Sequence, residues 1–283
     1  MKKFISIVIS SLMAVALFLP TNAAAYDEIT VTNGGTIKGK VIFTGSQKDA
    51  NKYNKVYTIT KDKHVCGTGK RKVDYVKVQK DKKDKLRLSD VVVYLDKKKV
   101  GKRYKSLKKG KAFAEDVENA TIDQKACAFL PFFAVVKRGG TLTAVNSDSV
   151  GHNIHTYKIL NKGNARPTLF NVSQPNEGDQ VNKDVDVKDV KTKKQPNNFG
   201  SKSRGMKVEC DQHDFMHSFV FVAKNPYYAV VEEDGTYTID NIPPGKYRVK
   251  AWHGYLKNPK AKTVTVKAGK TKTRTFKYKN KKK

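Results

Sequence analysis

VECDQHDFMHSFVFVAK, residues 208–224, holds a strand and a loop rich in sulfur and imidazole side chains side by side. Its second half, SFVFVAK, is a run of β-branched and aromatic residues of strand length, and its first half packs Cys210, His213 and Met216 into seven residues. Strand runs of the same character recur on both sides. They are GTIKGKVIFTG (35–45), DVVVYLD (90–96), GGTLTAVNSD (139–148) and GKYRVKAW (245–252). Alternation with a period of two and frequent turn residues mark them as strands. Helical periodicity is weak, and only 111–119 reads as a short helix or turn. The sequence predicts an all-β fold.

The N-terminus opens with Lys2 and Lys3, continues as an apolar stretch from Phe4 to Leu19, and reaches small residues at Ala23 and Ala25. That order is the pattern of a secretory signal peptide over 1–25, too short for a typical membrane span. It predicts a periplasmic or secreted protein. The formal charge is +31, from 57 Lys and Arg against 26 Asp and Glu. Lysines cluster at 80–85, 97–111 and the C-terminus, a distribution that favours acidic partners or an anionic cell surface and also serves as a solvated exterior. No recognised nucleic-acid module accompanies the basic runs.

Three cysteines, Cys66, Cys127 and Cys210, can pair two and leave one over. In an oxidising compartment a leftover thiol is usually engaged, and a metal is one such engagement. The spacing Cys210-x-x-His213-x-x-Met216 lets one tight loop bring a thiolate, an imidazole and a thioether to a point. Thiolate with imidazole suits copper or zinc, and a thioether as the further ligand selects copper. A trigonal site of this type needs a second imidazole, which TLTAVNSDSVGHNIHTY (141–157) supplies as His152 or His155. Against this stand the plainer readings, with Cys210 a buried free thiol or the partner of Cys66 or Cys127.

Asn-x-Asp at 146–148, His152-Asn153 and the later Cys-x-x-His-x-x-Met loop resemble the cupredoxin family, with an amicyanin-like type 1 copper loop. The resemblance implies one copper ion held by His152, Cys210, His213 and axial Met216. It further implies Asn153 bracing the two ligand loops, and His213 presenting an exposed ring edge for electron exchange. His155 is then a supporting or wall residue. Asp214 and Phe132 depart from the family pattern, as does the long stretch 153–209.

EDGTYTIDNIPPGKYRVKAWH (233–253) reads as a hairpin-like unit with turns at Asp234-Gly235 and Pro243-Pro244-Gly245. Together with GTIKGKVIFTG it resembles a carboxypeptidase regulatory-like, transthyretin-type β-sandwich, and the whole resembles exported bacterial methylamine-utilisation proteins. The implied layout is nested. Residues 26–112 and 224–279 share the sandwich, 113–223 form a cupredoxin-like Greek-key barrel, and 280–283 are a basic tail. The lysine-rich stretches 97–111 and 183–205 are expected as loops. Cys66 and Cys127 are expected to pair as a disulfide, contributing on the order of 3 kcal/mol. His64 and His253 are read as structural, and His217 as exposed near the metal or simply solvated.

No covalent-haem motif, zincin helix, nucleophile elbow or phosphate-binding loop is present. The expectation is a carrier rather than an enzyme, exchanging electrons with an acidic exported protein such as a c-type cytochrome or dehydrogenase. The alternatives are copper sequestration or delivery, and a non-redox sandwich that binds anionic surfaces.

Overall fold

The computed structural model describes residues 26–160, 166–185 and 204–282. The expected leader, residues 186–203 of the second lysine-rich stretch and Lys283 lie outside the described residues. The chain is all-β, built as two stacked β-sandwiches. Among the described residues no helix is long and apolar enough to cross a membrane.

One sandwich joins the two ends of the chain. Its first sheet orders Tyr228–Val230, Val91–Val100, Gly245–His253 and Lys262–Val266, with Arg103–Lys105 added to Val91–Val100. Its second sheet orders Thr236–Ile242, Gly35–Phe43, Leu86–Leu88 and Val78–Lys80, with Thr271–Tyr278 pairing in parallel to Gly35–Phe43. Buried and less buried residues alternate along Gly35–Phe43, so Ile37, Val41 and Phe43 enter a core shared with Leu88, Leu95, Tyr247 and Phe276. That alternation is what a strand with one buried face requires.

The other sandwich is built from the middle of the chain. A four-stranded sheet orders Ala128–Leu130, Asn119–Lys125, Thr141–Asn146 and Gln180–Asp184. Facing it, a five-stranded sheet orders Phe133–Lys137, His217–Ala223, Gly205–Glu209, His152–Lys158 and Thr168–Gln174.

His217–Ala223 is buried at every position. One face, with Val220 and Val222, belongs to its own core, and the other meets the first sandwich. There Phe221 lies 5.0 Å from Tyr94 and 5.4 Å from Trp252, and Phe219 packs edge-on to Tyr75 at 6.2 Å. A strand covered on both faces has no reason to alternate polar and apolar residues, which accounts for the SFVFVA run. Asp96 closes this interface. It is 7% exposed and pairs with Arg204 at 2.8 Å and with Lys250 at 2.8 Å.

Burial alone would raise the Asp96 carboxyl, but hydrogen bonds and charge from Lys250 and Arg204 outweigh it and hold the group below its usual range. A depressed carboxylate stabilises the fold fully above its unfolded value near 4, and that contribution is lost as pH falls through the lower folded value. Asp96→Asn is expected to cost about 2–3 kcal/mol at neutral pH. The cost should shrink below about pH 4, read from urea unfolding midpoints at the two pH values.

Several local expectations are corrected. Residues 97–111 are not a plain loop, because Val91–Val100 runs into them and turns back through Arg103–Lys105, with Lys98 opposite Lys105. Gly101, at φ +57°, permits that tight turn. Thr236–Ile242 and Gly245–His253 do not form a hairpin but lie in different sheets. Pro243 and Pro244 lack the N–H that would continue a ladder, so the chain crosses between layers there. The C-terminal residues are not free either: Lys257 N donates to Lys281 O at 2.8 Å. The short helix or turn expected in 111–119 is present as a 3-10 turn, Glu115–Val117.

Candidate metal centre

The loop 210–216 connects two adjacent antiparallel strands, Gly205–Glu209 and His217–Ala223. It closes on itself through Met216 N donating to His213 O at 2.9 Å and Cys210 N donating to Met216 O at 3.4 Å. Cys210, His213 and Met216 are all buried, as is His152 at the start of the neighbouring strand.

Three of the four expected ligands converge in the structure. His152 Nδ1 and His213 Nδ1 are 3.1 Å apart, and Cys210 Sγ lies 3.9 Å and 3.7 Å from them respectively. A triangle with those sides has a point about 2.1 Å from all three atoms, at a metal–nitrogen bond length and slightly inside a metal–sulfur one. Met216 is 1% exposed and held by the backbone bonds of the same loop.

The outer ring nitrogens explain which lone pairs face inward. His152 Nε2 is 2.9 Å from Asp148 Oδ2, and His213 Nε2 is 2.9 Å from Asp62 Oδ2. An ionised carboxylate only accepts, so each imidazole carries its proton on Nε2 and turns a bare Nδ1 lone pair toward the other. Two lone pairs facing each other at that separation repel unless a cation lies between them. Carboxylates behind the imidazoles are also the usual way in which metal-binding histidines are oriented.

Burial pushes the Cys210 thiol above its ordinary range, against the pull of backbone N–H groups at Asn153, Gln212 and His213. A metal must therefore displace a proton from Cys210 on binding. Burial also holds His213 below the usual imidazole range despite Asp62, which keeps the ring neutral and able to donate its lone pair.

Asn153 joins the two ligand-bearing segments. Its Oδ1 accepts from Asp211 N at 2.7 Å and from the Cys210 thiol at 3.3 Å, while its Nδ2 donates to Asp211 at 2.9 Å. His155 faces the opposite side of its strand from His152, since an odd spacing reverses the face. It meets Asp211 at 2.9 Å and Thr168 at 2.9 Å, so it supports the loop from outside.

Cys66 and Cys127 are joined in a disulfide. Their sulfurs lie close to His213 and His152 respectively, but bonded to each other they offer no thiolate. His152, Cys210 and His213 form the one close group of His, Cys, Asp or Glu, among the described residues, that needs no disulfide sulfur.

Two expectations about histidines are overturned. His213 presents no exposed ring edge: it is 1% exposed, with Asp62 on Nε2 and Phe215 beside it at 5.7 Å. His217 is likewise buried, its Nε2 3.0 Å from Tyr57 Oη and its Nδ1 3.3 Å from Glu209. Both are covered by the segment 57–75, which the first sandwich sends over the loop. His253 is structural, its Nδ1 accepting from Tyr255 N and Leu256 N at 3.0 Å, and His64 is exposed.

Sequence reasoning missed Asp62 and Asp148. Asp148 stood in the Asn-x-Asp run but was read only as part of a pattern. Asp62 lies 151 residues from His213 and carries no local signal.

Comparison with known proteins gives partial likenesses. The family model described as polysaccharide lyase family 4, domain II matches residues 209–274. This is a different family from the carboxypeptidase regulatory-like one expected there. No curated protein matches. Among solved structures, the purple cupredoxin from Nitrosopumilus maritimus is 23% identical, covering 37% of this chain and 99% of that one with a TM-score of 0.27. A reduced Cu(I) form of an amicyanin variant is 19% identical over 36% of this chain and 80% of that one, with a TM-score of 0.24. The copper-containing nitrite reductase from Thermus scotoductus SA-01 is 14% identical, covering 46% of this chain and 25% of that one at a TM-score of 0.25.

Proposed function

We propose that the chain is an exported copper-binding protein with a single type 1 centre at His152, Cys210, His213 and Met216, and that it carries electrons. The observation supporting this most directly is the facing pair of Nδ1 atoms with Cys210 Sγ, equidistant from one central point. Thiolate, two imidazoles and a thioether are the soft donor set that suits copper, whose chemistry here is one-electron exchange. With Met216 as the fourth donor, this chain would fill the shell of a bound copper, which favours a carrier over an enzyme. The Asp62 carboxylate, bonded to the His213 ring and partly exposed, takes the place of a bare imidazole edge at the surface. Lysines around the molecule favour an acidic redox partner, with association slowed by salt.

A second reading is copper retention or delivery, favoured by the burial of His213 beneath Asp62. Stopped-flow mixing of the copper form with a c-type cytochrome separates the two, since a store exchanges electrons slowly while a carrier does so rapidly. For copper itself, Cu(II) added to metal-free protein is expected to give an intense visible thiolate-to-copper band with the matching EPR signal. Cys210→Ala should abolish both. Absence of the band in the wild type, or its survival in the variant, would overturn the proposal.

A further inference from the structure

Charge is distributed unevenly between the two sandwiches. Residues 26–112 and 224–283 together hold 41 Lys and Arg against 13 Asp and Glu, whereas 113–223 hold 14 against 13. The metal-site unit is thus almost balanced. After Asp240 the chain contains 15 Lys and Arg and no acidic side chain at all.

Four of these residues meet at one edge of the sandwich. Among the described residues, Lys262–Val266 pairs only with Gly245–His253, and Thr271–Tyr278 pairs only with Gly35–Phe43, so each is an edge strand of its sheet. Between them runs a shallow groove lined by Lys260, Lys262, Arg274 and Lys277, with Thr273 and Thr275 interposed. The three lysines are exposed and Arg274 is half-buried. None of the four meets a carboxylate within ion-pair distance among the described residues. Arg274 instead donates to the carbonyl of Thr273 at 2.8 Å, and Lys262 lies 5.8 Å from the centre of the Phe276 ring.

We propose that this groove docks a linear acidic polysaccharide, with Lys260, Lys262, Arg274 and Lys277 meeting its carboxylates and Thr273 and Thr275 its hydroxyls. Uncompensated cations along an extended edge attract a chain of regularly spaced anions. Threonine hydroxyls both donate and accept, as sugar hydroxyls do. A nucleic-acid strand fits less well, because aromatic platforms for bases are lacking: Phe276 and Tyr278 are buried. Lysines on edge strands also discourage strand-to-strand association. That role requires scattered charge only, whereas here four cations line one groove in a segment without acids. The docking surface is independent of copper and lies in the other sandwich.

The test uses the full chain with sodium polygalacturonate as probe, neutral dextran as control and single-stranded DNA as competitor, followed by calorimetry at two salt concentrations. Wild-type protein should bind polygalacturonate, weaken with salt and ignore dextran. Reversing the groove by Lys260→Glu, Lys262→Glu, Arg274→Glu and Lys277→Glu should weaken binding by more than about 30-fold. A matched reversal at Lys82, Lys83, Lys99 and Lys102, none of which lines the groove, should weaken it less than about threefold. Should the four reversals prevent folding, judged by circular dichroism, the corresponding four changes to Gln give the same comparison. Equal losses in the two variants, no binding by the wild type, or DNA binding more tightly than polygalacturonate would each overturn the proposal.

Discussion

Asp148→Ala is expected to destabilise the metal-free protein by about 4 kcal/mol and to weaken copper binding about 10- to 100-fold. Asp148 is 5% exposed and accepts three hydrogen bonds, from Ala126 N at 2.7 Å, Cys127 N at 2.8 Å and His152 Nε2 at 2.9 Å. Truncation strands two buried donors, Cys127 N and His152 Nε2, each at about 1–3 kcal/mol, and a partly buried one at Ala126, with partial relaxation reducing the sum. The copper effect has a separate origin. Without its carboxylate the His152 ring can turn or shift its proton to Nδ1, which withdraws the lone pair from the site. Urea unfolding measures the first effect, and competition against a copper chelator measures the second. Asp148→Asn keeps the volume but sets an amide NH₂ against a donor, so it should lose affinity as well. Wild-type affinity in both variants would remove His152 from the ligand set.

That carboxylate also marks the limit of what could be read from the sequence. Cys210, His213 and Met216 are legible together because one loop carries them and their chemistry shares a preference. His152 is legible through its neighbours Asn146, Asp148 and Asn153. Asp62 is not, because it reaches His213 from a different sandwich, and no local pattern encodes a contact made by tertiary packing alone. The same packing explains why His217 and His213 were expected nearer the solvent than they are. A loop tip in a small isolated domain is exposed, but here the 57–75 segment covers it. Strands followed their period of two well at Gly35–Phe43. At His217–Ala223 the missing alternation records a second buried face, whose partners Tyr94 and Trp252 lie far away in sequence. Pro243-Pro244-Gly245 was read as a hairpin turn because a turn is local, whereas the choice between returning to one sheet and crossing to another is not.

The cover over the site leads to the second large effect. Replacing both Cys66 and Cys127 by Ala should lower stability by about 4 kcal/mol, since the bond closes a loop with a sequence separation of 61 and loop entropy grows with length. It should also weaken copper binding. Asp62 directly precedes the short helix Lys63–Cys66, whose Cys66 N donates to Asp62 O at 2.8 Å, so the disulfide fixes one end of the turn that sets a carboxylate on His213. Arg71 reinforces the arrangement by donating to Cys66 O at 2.8 Å and to Cys127 O at 2.5 Å, while its guanidinium lies 4.9 Å from the Phe215 ring centre. With the bond absent, the turn can lift, and copper affinity should fall about tenfold or more through the loss of the carboxylate behind His213. Asp62→Asn separates the two consequences, because it should reproduce the affinity loss while leaving most of the stability in place. Should the double cysteine variant lose stability yet hold copper as the wild type does, the pairing of Lys55–Thr58 with Lys70–Val73 would be what seats Asp62, and the disulfide would serve the fold alone.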